Sequence, residues 1–210
     1  MNLDKFEMIF WDFDGVIKES VSVKTDAFVE LFHPYGDDVC SKVRQHHIEN
    51  GGMSRFEKIP MYLMWAGVKL TDGIVEEFCT RFSSLVKDRV IESPWVPGVE
   101  SYLRKNKYNI KFVMVSATPK TELDSICSHL QLSDIFFKLF GSPIKKEDAI
   151  RESIRDSRVI PSECLMIGDA RADADAAKEN KISFILRRHE LNENLIVDPD
   201  TQVISDFLLW

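Results

Sequence analysis

The sequence has little of what would tie it to a nucleic acid, a membrane or an oxidising compartment. Its 27 lysines and arginines are outnumbered by 34 aspartates and glutamates, for a net charge of −7. The basic residues are scattered, and even Lys145-Lys146 and Arg187-Arg188 are only pairs. That balance argues against a dedicated nucleic-acid surface. Four cysteines, Cys40, Cys79, Cys127 and Cys164, lie far apart with neither CxxC nor Cys/His metal spacing. They read as reduced thiols of a cytoplasmic protein. Asp4 and Glu7 interrupt the N-terminus and an apolar strand follows at once, so no signal peptide fits there. No run is long and apolar enough to span a bilayer, and there is no internal repeat or low-complexity tract. What remains is an ordinary globular composition in 210 residues. It suffices for one large domain, or for a core domain with a modest insertion.

Short apolar runs recur at Met8–Trp11, Ile110–Val115, Ile135–Phe140, Cys164–Ile167 and Ile182–Leu186. Each is strand-sized, and helical patterns lie between most of them, which predicts a parallel sheet with helices on both faces. The interval from Ile17 to Ser93 is different. It reads as helices throughout, at Ser22–Phe32, Asp38–Glu49, Ser54–Ala66 and Thr71–Lys87. An α/β, Rossmann-like core with an inserted all-helical cap accounts for both patterns. Residues 1–16 and 95–210 are assigned to the core and 17–94 to the cap. Ser93-Pro94-Trp95-Val96-Pro97-Gly98 marks the return to the core. The apolar end Val203–Trp210 predicts a last strand or helix packed back on it, and Trp11, Trp65 and Trp95 are expected in the interior.

Open α/β sheets place ligands outside the carboxyl ends of their strands, and four such ends carry reactive groups. Asp12 and Asp14 follow the first run, two residues apart and therefore on one face as the strand ends. Gly15 next to them permits a sharp turn. Ser116 ends the second, Lys145 or Lys146 follows the third, and Asp169 with Asp173 follows the fourth. Carboxylates, a hydroxyl and a lysine form a coherent kit for a phosphate monoester. A carboxylate can attack phosphorus, and Mg²⁺ with a lysine can offset the meeting of two anions. A second carboxyl, kept protonated by its charged neighbour, can serve the leaving group. Singly, each residue has a plainer reading: Ser116 as a helix cap, the lysines and Asp175 as solvated charges.

Together and in order, DFDG, VMVSAT, GSPIKK and IGDARAD resemble the four motifs of the haloacid dehalogenase superfamily, and the helical insertion resembles that superfamily's first-type cap. The resemblance covers nearly the whole chain. It implies Asp12 as nucleophile and metal ligand, and Asp14 as general acid/base that lends a backbone carbonyl to the metal. It implies Ser116 as a phosphoryl contact, flanked by Gly15 and Ala117 on the substrate side. A lysine after Gly141 would balance charge, with Lys146 favoured over Lys145. Asp169 would be a metal ligand, and Asp173 a ligand or an anchor behind it. Residue 170 is alanine where the family often has serine.

An acid at position 14 points to phosphate chemistry, because a halide leaving group needs no proton. The cap is similar to those of β-phosphoglucomutase-like and phosphoglycolate phosphatase-like proteins. Gly52-Met53-Ser54-Arg55 resembles the mutase segment whose arginine grips the substrate's non-reacting phosphate. Arg55 is equally the first helical residue after Ser54 as N-cap. Arg55 and Lys24 are the expected substrate contacts of the cap side and suggest an anionic or polyhydroxylated substrate. Gly51 stands where the mutase has lysine, Lys24 where it has histidine, and Gly168-Asp169 where it has Glu-Asp. These departures favour a phosphatase. His46 and His47 either face the cleft or pack within the cap. The resulting expectation is a Mg²⁺-dependent phosphatase acting on a small phosphorylated metabolite, a sugar phosphate ahead of phosphoglycolate, as a monomer or weak dimer. A hexose phosphomutase is the enzymatic alternative, and a non-catalytic phosphometabolite-binding protein is the alternative from another class.

Overall fold

Strand-forming runs of Ile, Val, Phe and Met assemble into one six-stranded parallel sheet in this computed structural model, which describes residues 3–210. The strands are β1 (Met8–Trp11), β2 (Lys111–Pro119), β3 (Lys138–Ser142), β4 (Cys164–Gly168), β5 (Ser183–Arg187) and β6 (Gln202–Ile204). Their order across the sheet is β3-β2-β1-β4-β5-β6, all neighbours parallel. Alternation of side chains explains the two-sided burial. From β1, Ile9 and Trp11 join one apolar cluster, while Met8 and Phe10 join the other. Helices α5 (Val99–Asn106) and α6 (Lys120–His129) cover the first face through Leu103, Leu123 and Ile126. Helices α7 (Lys146–Ser157) and α8 (Arg171–Glu179) cover the second through Ile150, Ala176 and Ala177.

Between β1 and β2 lie four helices, α1 (Val21–Phe32), α2 (Asp37–Glu49), α3 (Arg55–Trp65) and α4 (Asp72–Glu92). Aromatic packing holds them together. Phe28 stacks on Phe82 with ring centres 3.9 Å apart, and Tyr62 stands edge-on to Phe28 and Phe32 at 5.4 and 5.6 Å. Such pairs add about 0.5–1.5 kcal/mol each beyond the area they bury. The chain enters and leaves this bundle through two adjacent strand-like crossings. Glu19 N–H donates to the Pro94 carbonyl at 2.9 Å, and Val96 N–H to that of Ile17 at 3.0 Å. Lys18 fixes the crossing by donating to the Ile91 carbonyl at 3.0 Å, and Arg187 Nη1 at the end of β5 holds the Glu19 carboxylate at 2.9 Å.

Three expectations need adjustment. Helix α4 does not stop near Lys87 but runs to Glu92, because Val86 and Val90 continue its buried stripe. Trp65 is not interior: at the end of α3 its ring is exposed on the cap surface. Trp95 is only half-buried, under the ammonium of Lys18 at 4.7 Å. Trp11 is fully buried among Tyr102, Phe112 and Phe207. The C-terminal segment contributes β6, and Phe207 then anchors the end of the chain in the core. All four cysteines are buried free thiols. Among the described residues, no helix is long and apolar enough to cross a membrane.

Candidate active site

The sheet reverses its winding between β1 and β4, and the crevice beyond their carboxyl ends is where parallel sheets bind ligands. Asp12 continues β1, its N–H donating to the Ile167 carbonyl at 3.0 Å. Asp169 follows β4, and Ser116 lies within β2 as it passes the same edge. Asp12, Asp169 and Asp173 are all buried, with carboxylate oxygens within 4.8 Å of one another. Lys146, the first residue of α7, inserts between two of them, 2.8 Å from Asp12 and 2.6 Å from Asp173. Lys145 is exposed. Of the two candidate lysines, then, only Lys146 reaches the cluster.

Burial raises Asp12 to about 6 despite the opposing pull of Lys146, with Asp173 and Asp14 adding to the rise. Asp169 is likewise raised to about 6 by burial, against a hydrogen bond from His189. Burial raises Asp173 too, only partly offset by Lys146. Lys146 is pushed up, because Asp12 and Asp173 outweigh its own desolvation. Three buried carboxylates share one ammonium, so negative charge is left over. That surplus, presented by hard oxygen donors, fits a divalent cation such as Mg²⁺. Asp173 is poorly placed to ligate directly. Its Oδ1 accepts from Lys146 and its Oδ2 from the N–H groups of Asp169 and Ala170, at 3.2 and 3.0 Å. The geometry suits an anchor behind the ligands. The Asp14 side chain is not part of this cluster.

Asp14 departs from the sequence expectation in a second way. Burial alone would raise it, but the Lys24 ammonium at 2.5 Å and the Ser20 hydroxyl at 2.6 Å hold it below the ordinary carboxylate range. The residue expected to carry a proton is therefore ionised in this state. Lys24 also donates to Thr118 Oγ1 at 2.8 Å, so it is tied to the core rather than free for substrate. Ser116 is buried and its hydroxyl oxygen accepts the Thr118 N–H at 3.1 Å. Ala117 lines the cleft beside Thr118. Gly15 does not line it. Its φ is +77°, and a Cβ there would sit 2.3 Å from Asp169 Oδ2, so glycine lets the turn and that carboxylate meet.

The helical insertion closes the cleft from above with Phe28, His47, Gly51, Gly52, Met53, Arg55, Lys58 and Phe82. Arg55 makes a bidentate ion pair with Glu122 of α6, at 2.9 and 2.5 Å, and donates to Ser83 at 2.5 Å. Its guanidinium is thus occupied, with Phe82 stacked beneath it at 4.6 Å. It is also the first residue of α3, after Ser54. The two histidines part company. His46 packs on Tyr62 and Trp65, whereas buried His47 lines the cleft and accepts from Lys58 at 2.8 Å.

Lys58, Glu122, His189 and Asn192 escaped the sequence reading. His189 Nε2–H donates to Asp169 Oδ2 at 2.9 Å while its Nδ1 accepts the Leu191 N–H, which fixes the neutral tautomer. Asn192 donates to the Asp169 carbonyl at 2.7 Å. Both lie just past the end of β5, where the strand-end rule applied to the other strands would have pointed.

Fold and site together define a capped α/β protein with a carboxylate–lysine cluster at the switch point of its sheet. The chain belongs to the haloacid dehalogenase-like hydrolase family, whose profile matches residues 6–180. Among solved structures it is similar to CbbY from Rhodobacter sphaeroides in complex with xylulose-(1,5)bisphosphate, at 17% identity and a TM-score of 0.77, over 96% of this chain and 95% of that one. It is also similar to β-phosphoglucomutase from Clostridium difficile, at 24% identity and 0.73, over 96% and 92%. A predicted phosphoglycolate phosphatase from Haemophilus somnus gives 17% and 0.75, over 97% and 95%. At these identities the likeness is one of fold. No curated protein matches the chain significantly in sequence.

Proposed function

We propose that the protein is a Mg²⁺-dependent phosphatase that hydrolyses a small phosphorylated metabolite, a sugar phosphate or phosphoglycolate-like compound, through an aspartyl-phosphate. The core comprises residues 1–16 and 95–210 and the cap residues 17–94. The observation that carries this reading is Asp12, a buried carboxylate at the switch point, 2.8 Å from Lys146 and facing a cleft roofed by helices.

In this scheme Asp12 attacks phosphorus, the ester P–O bond breaks, and the leaving alkoxide takes a proton from Asp14. Water then attacks phosphorus, the P–O bond to Asp12 breaks to free its carboxylate and inorganic phosphate, and the water's proton passes to Asp14. Ser116 and Lys146 contact the transferring group and balance its charge. Asp12 and Asp169 would hold Mg²⁺, with Asp173 fixing Lys146 and the turn behind them. The metal supplies the remaining charge neutralisation when bound. Asp14 starts ionised, so its acid role requires a proton to arrive, and an incoming phosphate dianion beside it favours that uptake. The helical roof excludes water from the first step.

The test is phosphate release from sugar phosphates, phosphoglycolate and an aryl phosphate, with Mg²⁺ and with EDTA. Metal-dependent release is expected, and Asp12→Asn should lower it at least about 10³-fold while the protein stays folded. Release that survives EDTA or that substitution would overturn the reading. Interconversion of hexose phosphates without release would install the mutase in its place. Ligand binding without turnover would install the binding protein.

A further inference from the structure

Three cations line the cleft, and their partners differ. Lys24 has Asp14, and Arg55 has Glu122. Lys58 has no carboxylate within ion-pair distance among the described residues, although it is only 1% exposed. Among the described residues its one hydrogen-bond partner is His47 Nδ1 at 2.8 Å. An ammonium carries three donors, so two of its N–H groups have no protein acceptor. Glu57, next to it in α3, is turned outward and receives the Ser54 N–H at 3.2 Å. The Phe28 ring centre is 6.0 Å from its Nζ, and the nearest charges that act on it, Lys24 and Asp14 across the cleft and Glu57 on its own helix, make no ion pair with it.

A buried cation without an anion is unfavourable unless something else supplies the anion. We propose that Lys58 and His47 form a second anion site in the cap, which takes a carboxylate or second phosphate of the substrate while its reacting phosphate lies over Asp12. The assignment rests on the phosphatase reading for where the reacting group sits. It moves the grip on the non-reacting end from Arg55, which Glu122 already holds, to Lys58. Because Lys58 donates to His47 Nδ1, the neutral imidazole carries its proton on Nε2 and offers the site a second donor. The electrostatics agree. Burial, with Lys24 nearby, pushes Lys58 down to about 7. Burial and Lys58 push His47 well below its ordinary value. A bound anion would relieve both. The preferred substrate class is then a phosphate monoester with a second anionic group, rather than a neutral sugar monophosphate.

Calorimetric titration of the Asp12→Asn protein, residues 1–210, in Mg²⁺ tests this, with phosphoglycolate, a pentulose bisphosphate and methyl phosphate as probes. At least one two-anion probe should bind at least tenfold tighter than methyl phosphate, and adding Lys58→Met should remove that margin. Phosphoglycolate and the bisphosphate separate a carboxylate site from a phosphate site. Methionine has similar length and no charge to bury, and Lys58→Gln gives a second variant should it disturb the cap. No margin, no binding of any probe, or a margin that survives both substitutions would overturn the proposal. Aryl phosphate release by the unmodified chain is read separately. Release without a margin discards the second site alone, and a Lys58-dependent margin without release discards the phosphatase alone.

Discussion

The floor and the roof of the cleft are built on opposite electrostatic plans. On the floor, three buried carboxylates share one ammonium, and burial raises all three. On the roof, Lys58 and His47 have no carboxylate within ion-pair distance among the described residues, and burial lowers both. Each half is short of the charge that the other half's ligand would bring: a divalent cation below, an anion above. A closed cleft assembled from two deficits is incomplete without its ligands. Arg55 shows the contrast within the roof itself, since Glu122 has already satisfied it.

Removal of a charge from the floor should cost the most. Lys146→Met should cut aryl phosphate release by about 10²–10³-fold, as expected for loss of one preorganised charge at the transferring group. Steady-state kinetics with saturating Mg²⁺ measures it, and a loss under tenfold would remove Lys146 from the transfer step. The second test breaks the ion pair between Arg55 of the roof and Glu122 of the core helix α6. Arg55→Met leaves Glu122 buried and alone, a cost of about 3 kcal/mol. For a chain of this length that lowers the melting temperature by about 6–12 °C. Glu122→Met added to it should recover part of the loss. An unchanged melting temperature in the single variant would mean that the pair does not hold cap to core.

The smallest effect is a pair of opposed pH slopes in the chelator-treated, ligand-free protein. Asp12 and Asp169 have folded values near 6 against 3.8 unfolded. The folded state therefore binds more protons in that window, and stability falls as pH rises from about 4 to 6. Lys58 is near 7 when folded against 10.5 unfolded. There the unfolded state binds more protons, so stability rises with pH from about 7 to 10. Melting temperature against pH should thus dip between about 6 and 7, and Mg²⁺ should flatten the acid arm only. A single slope of one sign across both windows would refute the opposed plans.

Most of the floor was legible in the sequence, because its residues are fixed by local pattern. An apolar run predicts a strand, a strand end predicts exposure to the crevice, and Asp12, Ser116 and Asp169 follow from that alone. Lys146 was preferred over Lys145, and the start of α7 provides the reason: the first helical residue points back into the cluster while its neighbour faces water. The roof was not legible. Lys58 looks like any lysine on an amphipathic helix, and its burial arises only when α3 packs in the bundle beside Phe28 and His47. Glu122 is 67 positions from Arg55 in sequence, so no spacing rule links them. The charge state of Asp14 depends on Lys24, whose position depends on how the insertion sits on the sheet. Trp65 misled because hydrophobicity does not say which side of a helix end faces out.

Lys24 belongs to α1 and Asp14 to the loop after β1, and the 2.5 Å contact between them bridges insertion and core. Any motion that lifts α1 away removes the cation that holds Asp14 below the ordinary carboxylate range, and the carboxyl then becomes a better proton acceptor. Linkage makes the effect reciprocal: protonating Asp14 weakens the contact and favours the lifted arrangement. Lid position and acid–base readiness are therefore two readings of one coordinate. The closed, empty molecule holds Asp14 at its most acidic, and lifting α1 relaxes it toward an ordinary carboxyl.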